Sequence, residues 1–235
     1  KTKAYLQQYE KFDANPGFLD SAKQYLKDKT HGDLKQNFNL LIQLSFIKQD
    51  YATLLKYVSR LNKDYLLNAH LTEKSWDNTH AWTLYRIGEA YFDAGNISDA
   101  YLFYKKASEL APYNLEFKNK LGTSLMAQQK VQEGIAVFSG ILKENPKFVQ
   151  ALNNLGYANL ATGNSAKAEL LYNQALQLEP DYEPLLMNIS GLYIYKKEYK
   201  KAKQLLNKII KKNPANQQAK KVLEQLAGLE KLNRQ

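Results

Sequence analysis

Reactive side chains are few in this chain, and their spacing assembles no catalytic centre. His31, His70 and His80 fall in three different loops, with no second His or Cys at the spacing a metal site requires. Cysteine is absent, which excludes disulfides, thiolate metal sites and cysteine nucleophiles. No GxxxxGK[ST] or GxGxxG phosphate cradle occurs, and no GxSxG nucleophile elbow. The carboxylates are scattered over polar faces. The expectation is a protein that is not an enzyme, with no catalytic residue, no metal and no cofactor. Two stretches, Asn96-Ile97-Ser98 and Asn188-Ile189-Ser190, match a glycosylation sequon. Both lie in or beside helical patterns and read as chance matches.

The other chemistry on offer is charge. The formal net charge is +10, and residues 183–235 hold 12 Lys or Arg against 4 Asp or Glu. Lys196, Lys197, Lys200, Lys201, Lys203, Lys208, Lys211 and Lys212 crowd one short segment. Such a patch reads either as the solvated outer face of a helix or as a dock for an anionic partner: nucleic acid, a membrane surface or an acidic protein. The near-absence of Arg and of any glycine-rich or RNP-like motif argues against nucleic acid.

The elements that must position these groups are set by repetition. Counting in steps of 34 from Ala81, new units begin at Leu115, Val149 and Glu183. Column 8 reads Gly88, Gly122, Gly156, Ser190; column 20 reads Ala100, Gly134, Ala168, Ala202. Column 24 reads Tyr104, Phe138, Tyr172, Leu206; column 32 reads Pro112, Pro146, Pro180, Pro214. Columns 4, 7, 8 and 11 have the i, i+3, i+4, i+7 spacing of one helix face, and columns 20, 24 and 27 mark a second helix. Gly95-Asn96 and Gly163-Asn164 supply turn residues between them. Each unit is therefore an antiparallel helix pair, brought close by small residues in columns 8 and 20, and the proline stops the second helix. Lys118 in otherwise apolar column 4 is the odd residue and suggests a loosened contact.

A 34-residue helix–turn–helix with this small/aromatic/Ala/Pro pattern resembles the tetratricopeptide repeat. The stretch Ala151–Tyr182 (ALNNLGYANLATGNSAKAELLYNQALQLEPDY) is close to that family's consensus, although Trp is missing from column 4 throughout. The resemblance implies an all-α, right-handed solenoid whose concave groove is lined by columns 2, 5, 9 and 12 of the first helices, with column 6 at its edge. Carried onto this sequence, the groove residues are Trp82, Tyr85, Arg86, Glu89, Asn119, Lys120, Thr123, Gln150, Asn153, Asn154, Tyr157, Met187 and Asn188. Asn amides, two basic groups and aromatics suit an extended peptide, since amides bond a backbone and aromatics seat side chains. Column 12 (Phe92, Met126, Leu160, Ile194) reads more as packing between neighbouring first helices, whereas the amides gain little from packing. Relatives that clamp chaperone carboxylates resemble one another in a Lys/Asn set. Here Tyr85, Glu89, Lys120 and Gln150 stand where that set is required, so a clamp of that kind is not expected.

Outside the four units the pattern weakens. Lys1–Leu34 and Lys35–Asn68 read as two degenerate repeats or helical hairpins, the second reopening at Asp50-Tyr51-Ala52. Residues 69–80 (AHLTEKSWDNTH) break the period, either as an enlarged loop or as a lip at the groove with Trp76 as its key contact. Residues 217–235 form a capping helix that covers the last repeat with Ala219, Val222, Leu223, Leu226, Leu229 and Leu232. No run of apolar residues reaches membrane-spanning length. The Lys, Asn and Tyr usage and the Lys1 start suggest the exported or periplasmic soluble part of a bacterial protein. The sequence thus points to a protein-binding scaffold, with docking through the basic end as the alternative. Self-association through the terminal caps is a third reading.

Overall fold

The computed structural model describes residues 42, 45–46, 49–59, 67 and 78–232, and all regular structure among them is helical. The readings of Lys1–Leu34, of much of Lys35–Asn68 and of residues 69–77, His31, His70 and Trp76 included, lie outside the described residues. The chain forms two compact units, Lys1–Leu110 and Ala111–Gln235. In the first, the described helices are α1 (Tyr51–Val58), α2 (Asn78–Asp93) and α3 (Ile97–Leu110). The second holds α4 (Leu115–Ala127), α5 (Val131–Glu144), α6 (Val149–Ala161), α7 (Ser165–Leu178), α8 (Glu183–Tyr195), α9 (Tyr199–Lys212) and α10 (Gln217–Leu232).

The helices keep the sequence register. First helices α4, α6 and α8 fill columns 1–13, and second helices α3, α5, α7 and α9 fill columns 17–30. Helix α2 alone starts early, at Asn78, so the last three residues of the 69–80 stretch are helical and not loop. The reason is local. One period before Pro112 stands Asn78, so no proline forces the chain into extended backbone there.

Columns 8 and 24 hold each pair together. A Cβ on Gly88 would sit 2.8 Å from the Tyr104 ring, and one on Gly122 would sit 2.5 Å from Phe138 Cε1. Gly156 is closed over by Tyr172 even more tightly. In the fourth pair the exchange is reciprocal: Ser190 replaces glycine and Leu206 replaces the ring, and both are buried.

Column 15 sets every turn. Gly95 (φ 76°) and Gly163 (φ 83°) are left-handed, and so are Gln129 (φ 63°) and Lys197 (φ 60°). At Gln129 the N–H bonds Met126 O at 3.0 Å and the next N–H, of Lys130, bonds Leu125 O at 2.9 Å. This is the Schellman pairing that satisfies carbonyls at a helix end, and it recurs at Gly95, Gly163 and Lys197. Gln49 (φ 54°) carries it too, with α1 beginning two residues later. Counted from Lys35, Gln49 is again column 15. Column 16 then caps the second helix where its side chain allows: Asp50, Asn96 and Asn164 accept from backbone N–H groups three residues on.

Lys118 does not mark a loosened contact. Its ammonium reaches Glu144 Oε1 at 2.5 Å, at the far end of the partner helix. At the C-terminal end, Ala219 and Leu226 of α10 are buried on Leu186, Leu206 and Ile209, with Val222 and Leu223 partly buried beside them. Asn213 and Asn216 both donate to the Glu183 carboxylate, fastening the start of α8 to the turn before α10.

Gly156→Ala is expected to destabilise the second unit by about 1–3 kcal/mol, because its methyl collides with a packed ring. Gly140, with nothing within 4 Å of its Cβ position, is the control. Gly140→Ala is expected to stabilise by about 0.5–1 kcal/mol through lower unfolded-state entropy. Urea unfolding of both variants reads the two signs.

Candidate functional site

The first-helix face of the second unit carries a chain of amides. Asn188 Nδ2 donates to Asn153 Oδ1 at 2.9 Å, and Asn153 Nδ2 donates to Asn154 Oδ1 at 3.4 Å. Asn154 Nδ2 donates to Asn119 Oδ1 at 3.0 Å and lies 3.4 Å from Thr123 Oγ1. Thr123 Oγ1 in turn donates to Asn119 O at 3.0 Å. The ladder runs across α8, α6 and α4 and links three successive repeats. Its long links join residues 35 apart, one more than the period, because a column 6 amide on one helix meets a column 5 amide on the previous one.

This arrangement corrects the expectation for the amides. Asn119 and Asn153 are only 6% and 3% exposed; they are interior rungs rather than open surface. They are buried at low cost because each finds an amide partner, which is what a polar group needs away from water. Asn154 and Asn188 are half-buried, as are Lys120, Thr123, Gln150 and Met187. Tyr157 stands out from the face, 50% exposed. At the matching column of α8 is Gly191, exposed and with nothing within 4 Å of its Cβ position. Met126, Leu160 and Ile194 pack partly against the cores, as their column suggested.

In the first unit the expected groove residues form an aromatic cluster. Tyr85 is 4% exposed and belongs to the core, not to the surface, because neighbouring rings close around it. The Trp82 and Tyr85 centroids lie 5.4 Å apart edge-on, those of Phe46 and Tyr85 6.5 Å apart, and those of Tyr85 and Tyr104 6.0 Å apart. The Arg86 guanidinium lies over Phe46 at 5.6 Å and over Trp82 at 5.8 Å, a cation–π arrangement. The Tyr104 hydroxyl donates to the Glu89 carboxylate across the hairpin. Burial first, and the Glu89 charge second, push the Tyr104 phenol well above its ordinary range.

Half of the lysine cluster is tied down in ion pairs. Lys196 pairs with Glu169 at 2.5 Å, and Lys201 with Glu198 at 2.5 Å. Lys208 and Lys212 share Asp181 at 2.9 and 2.6 Å, and Lys208 also donates to Pro180 O at 3.0 Å. Lys201 further lies 5.2 Å from the Tyr193 ring. The contacts to Glu169, Pro180 and Asp181 strap the last repeat to the one before it. Lys197, Lys200 and Lys211 are exposed with no ion pair among the described residues. Hydrogen bonds from Lys208 and Lys212 hold the Asp181 carboxyl down at about 2. Among the described residues no group of three His, Asp or Glu side chains could hold a metal ion, and no helix is long and apolar enough to cross a membrane. Of the two sequons, Ser190 is buried with its hydroxyl donating to Leu186 O at 2.7 Å, while Asn96 is exposed just before α3 and Ser98 is exposed in its first turn.

Asn154→Ala removes the rung that joins the two halves of the ladder. It is expected to cost about 1 kcal/mol in unfolding free energy, since water reaches this half-buried position and replaces part of what is lost. Equilibrium urea melts read that difference. The Asp181 contact should persist through pH 4 and be lost only as the pH falls toward 2, because a depressed carboxyl pKa stabilises above that value. A carboxyl-carbon NMR titration at low salt should place the Asp181 midpoint near 2. The midpoint should return toward the ordinary range in Lys208→Gln/Lys212→Gln, and high salt should shrink the difference.

Three tetratricopeptide repeat family models match this chain, at residues 83–114, 119–183 and 159–226. Among curated proteins it is 34% identical over 79 residues to the uncharacterized protein ycf37 of Pyropia yezoensis, covering 34% of this chain and 44% of that one. It is 30% identical over 90 residues to human superkiller complex protein 3, covering 38% of this chain and 6% of that one. It is 28% identical over 98 residues to the Hsp70-Hsp90 organizing protein of Triticum aestivum, covering 42% and 17%. The matched segments thus span less than half the length of each of these relatives. Among solved structures, TTC0263, a thermophilic tetratricopeptide protein of Thermus thermophilus, superposes with a TM-score of 0.63 at 18% identity, covering 82% of this chain and 98% of that one. A MamA fragment from Desulfovibrio magneticus gives 0.57 at 18%, covering 80% and 99%. YrrB, described as a tetratricopeptide protein with an unusual peptide-binding site, gives 0.52 at 16%, covering 88% and 99%. At such identities the structures speak for the fold alone. With family matches running from residue 83 to residue 226, over helices that keep one repeat register, the chain belongs to the tetratricopeptide repeat family.

Proposed function

We propose that this chain is a non-enzymatic protein–protein interaction scaffold that holds an extended peptide or protein segment along the first helices α4, α6 and α8. The observation that carries this reading is the amide ladder beside a half-exposed Tyr157. A buried polar network fixes the side chains of the face in one arrangement, and the aromatic beside it is left for contact. Rigid amides with a projecting ring suit a backbone-plus-side-chain ligand, and recognition costs less when the face is already ordered. YrrB, with its unusual peptide-binding site, and the wheat Hsp70-Hsp90 organizing protein are in keeping with such a role.

The basic end supports docking less well than its composition suggests. Half of its eight lysines are engaged with Glu169, Asp181 or Glu198, so the cluster stiffens the last repeats at the expense of free positive charge.

Binding through the first-helix face is expected to survive moderate salt and to weaken about tenfold or more in Tyr157→Ala. That variant should keep wild-type stability within about 0.5 kcal/mol, as exposed substitutions do. Lys200→Glu with Lys211→Glu should leave such binding unchanged. Affinity capture with these baits side by side, each partner then titrated at two salt concentrations, checks the proposal. A partner that resists Tyr157→Ala but is lost in the lysine variant, with steep salt dependence, would replace this reading with the anionic dock.

A further inference from the structure

The Tyr172 hydroxyl is buried and has no hydrogen-bond partner among the described residues. The residue is 1% exposed, and a phenol hydroxyl usually finds a partner when buried. Its ring lies over Gly156, with Cζ 3.1 Å from the Cβ position there. That seat puts the hydroxyl beside Tyr157, the next residue of α6. Burial, with Tyr157 as the second cause, pushes the Tyr172 phenol up, so it stays a neutral donor.

The first regular repeat shows what this donor takes. Tyr104 occupies the same column over Gly88, and its hydroxyl donates to Glu89, the residue after that glycine. In the third repeat the residue after the glycine is Tyr157, which points outward and is half exposed. The ring lies on a glycine in both hairpins and the donor is the same, but no carboxylate stands at this position of the third repeat. The neighbouring column position on α8 is Gly191, which leaves open space at its Cβ.

Resting on the groove reading above, we propose that Tyr172 donates its hydroxyl to a carboxylate of the bound segment, which enters past Tyr157 and takes the place that Glu89 holds in the first repeat. The ligand is accordingly an acidic segment, and the carboxylate comes either from a glutamate or aspartate side chain or from a chain terminus. The site differs from a Lys/Asn clamp: its donor is a second-helix tyrosine reached between two first helices.

The test uses three arrays of random octapeptides. One set is N-acetylated and C-amidated with a fixed central Glu, the second is its Gln twin, and the third is the Gln set with a free C-terminal carboxylate. The wild-type chain is expected to retain more peptides from the Glu set or the free-terminus set than from the Gln amide set. Whichever carboxylate set is favoured names the source. Tyr172→Phe keeps the ring on Gly156 and deletes only the hydroxyl. It should weaken the carboxylate peptides about tenfold, the scale of one hydrogen bond to a charged group, without lowering the thermal midpoint. Tyr157→Glu should rebuild the pairing of the first repeat, raise the midpoint and expel the same peptides. Equal retention of all three sets by the wild type overturns the proposal. So does a Tyr172→Phe variant that melts earlier and binds unchanged, which would make the hydroxyl structural. If peptides bind, are lost in Asn154→Ala and ignore Tyr172→Phe, the groove reading stands and this subsite falls.

Discussion

The close approach of two helix backbones at one glycine is the contact on which the rest depends. Column 8 has no side chain where column 24 has a ring, so the ring of the second helix lies directly on the first. Interiors pack at crystal-like density and tolerate little extra volume. The glycine–ring contact therefore fixes both the spacing and the rotation of each hairpin. Once the rotation is set, columns 5, 6 and 9 of the first helix share one face, and the amides of successive repeats meet. The same contact decides where the column 24 hydroxyl ends up: on Glu89 in one repeat, beside Tyr157 in another.

Much of this was legible in the sequence because it is periodic. The helix bounds, the prolines between hairpins and the small residues at their contacts follow from column counting, and Leu206 opposite Ser190 shows the rule in its compensated form. What was not legible came from residues that break type while keeping conformation. Gln129 and Lys197 adopt the left-handed backbone that Gly95 and Gly163 advertise. Such a residue is strained by about 1 kcal/mol, and here the two backbone bonds of the helix end hold it in place. No composition rule marks it. Its position in the period does.

The site was half legible for a related reason. The sequence places Asn119, Asn153, Asn154 and Asn188 on one helix face as separate contact groups, whereas they bond one another. That Asn119 bonds Asn154, and Asn153 bonds Asn188, requires knowing that neighbouring repeats are offset by one residue across the face. A search for amides 35 apart finds both pairs. Tyr85 shares its column with Asn119 and Asn153 and is buried as they are; the next two repeats fill that place with bonded amides, and this one with the rings of Phe46, Trp82 and Tyr104 around it. The lysines were read by charge alone; for Lys196, Lys208 and Lys212 the carboxylates lie one repeat earlier, on Glu169 and Asp181.

The ladder also has a sense of direction. Asn188 gives to Asn153, Asn153 to Asn154, and Asn154 to Asn119, with both links between helices pointing toward the earlier repeat. Either inner amide, Asn153 or Asn154, turned around would set oxygen against oxygen on one side and N–H against N–H on the other, and an end amide would lose its one link. No rung can therefore reverse alone. The four behave as a single arrow laid across three repeats, so the face carries one fixed order of donors and acceptors and its two directions are not equivalent.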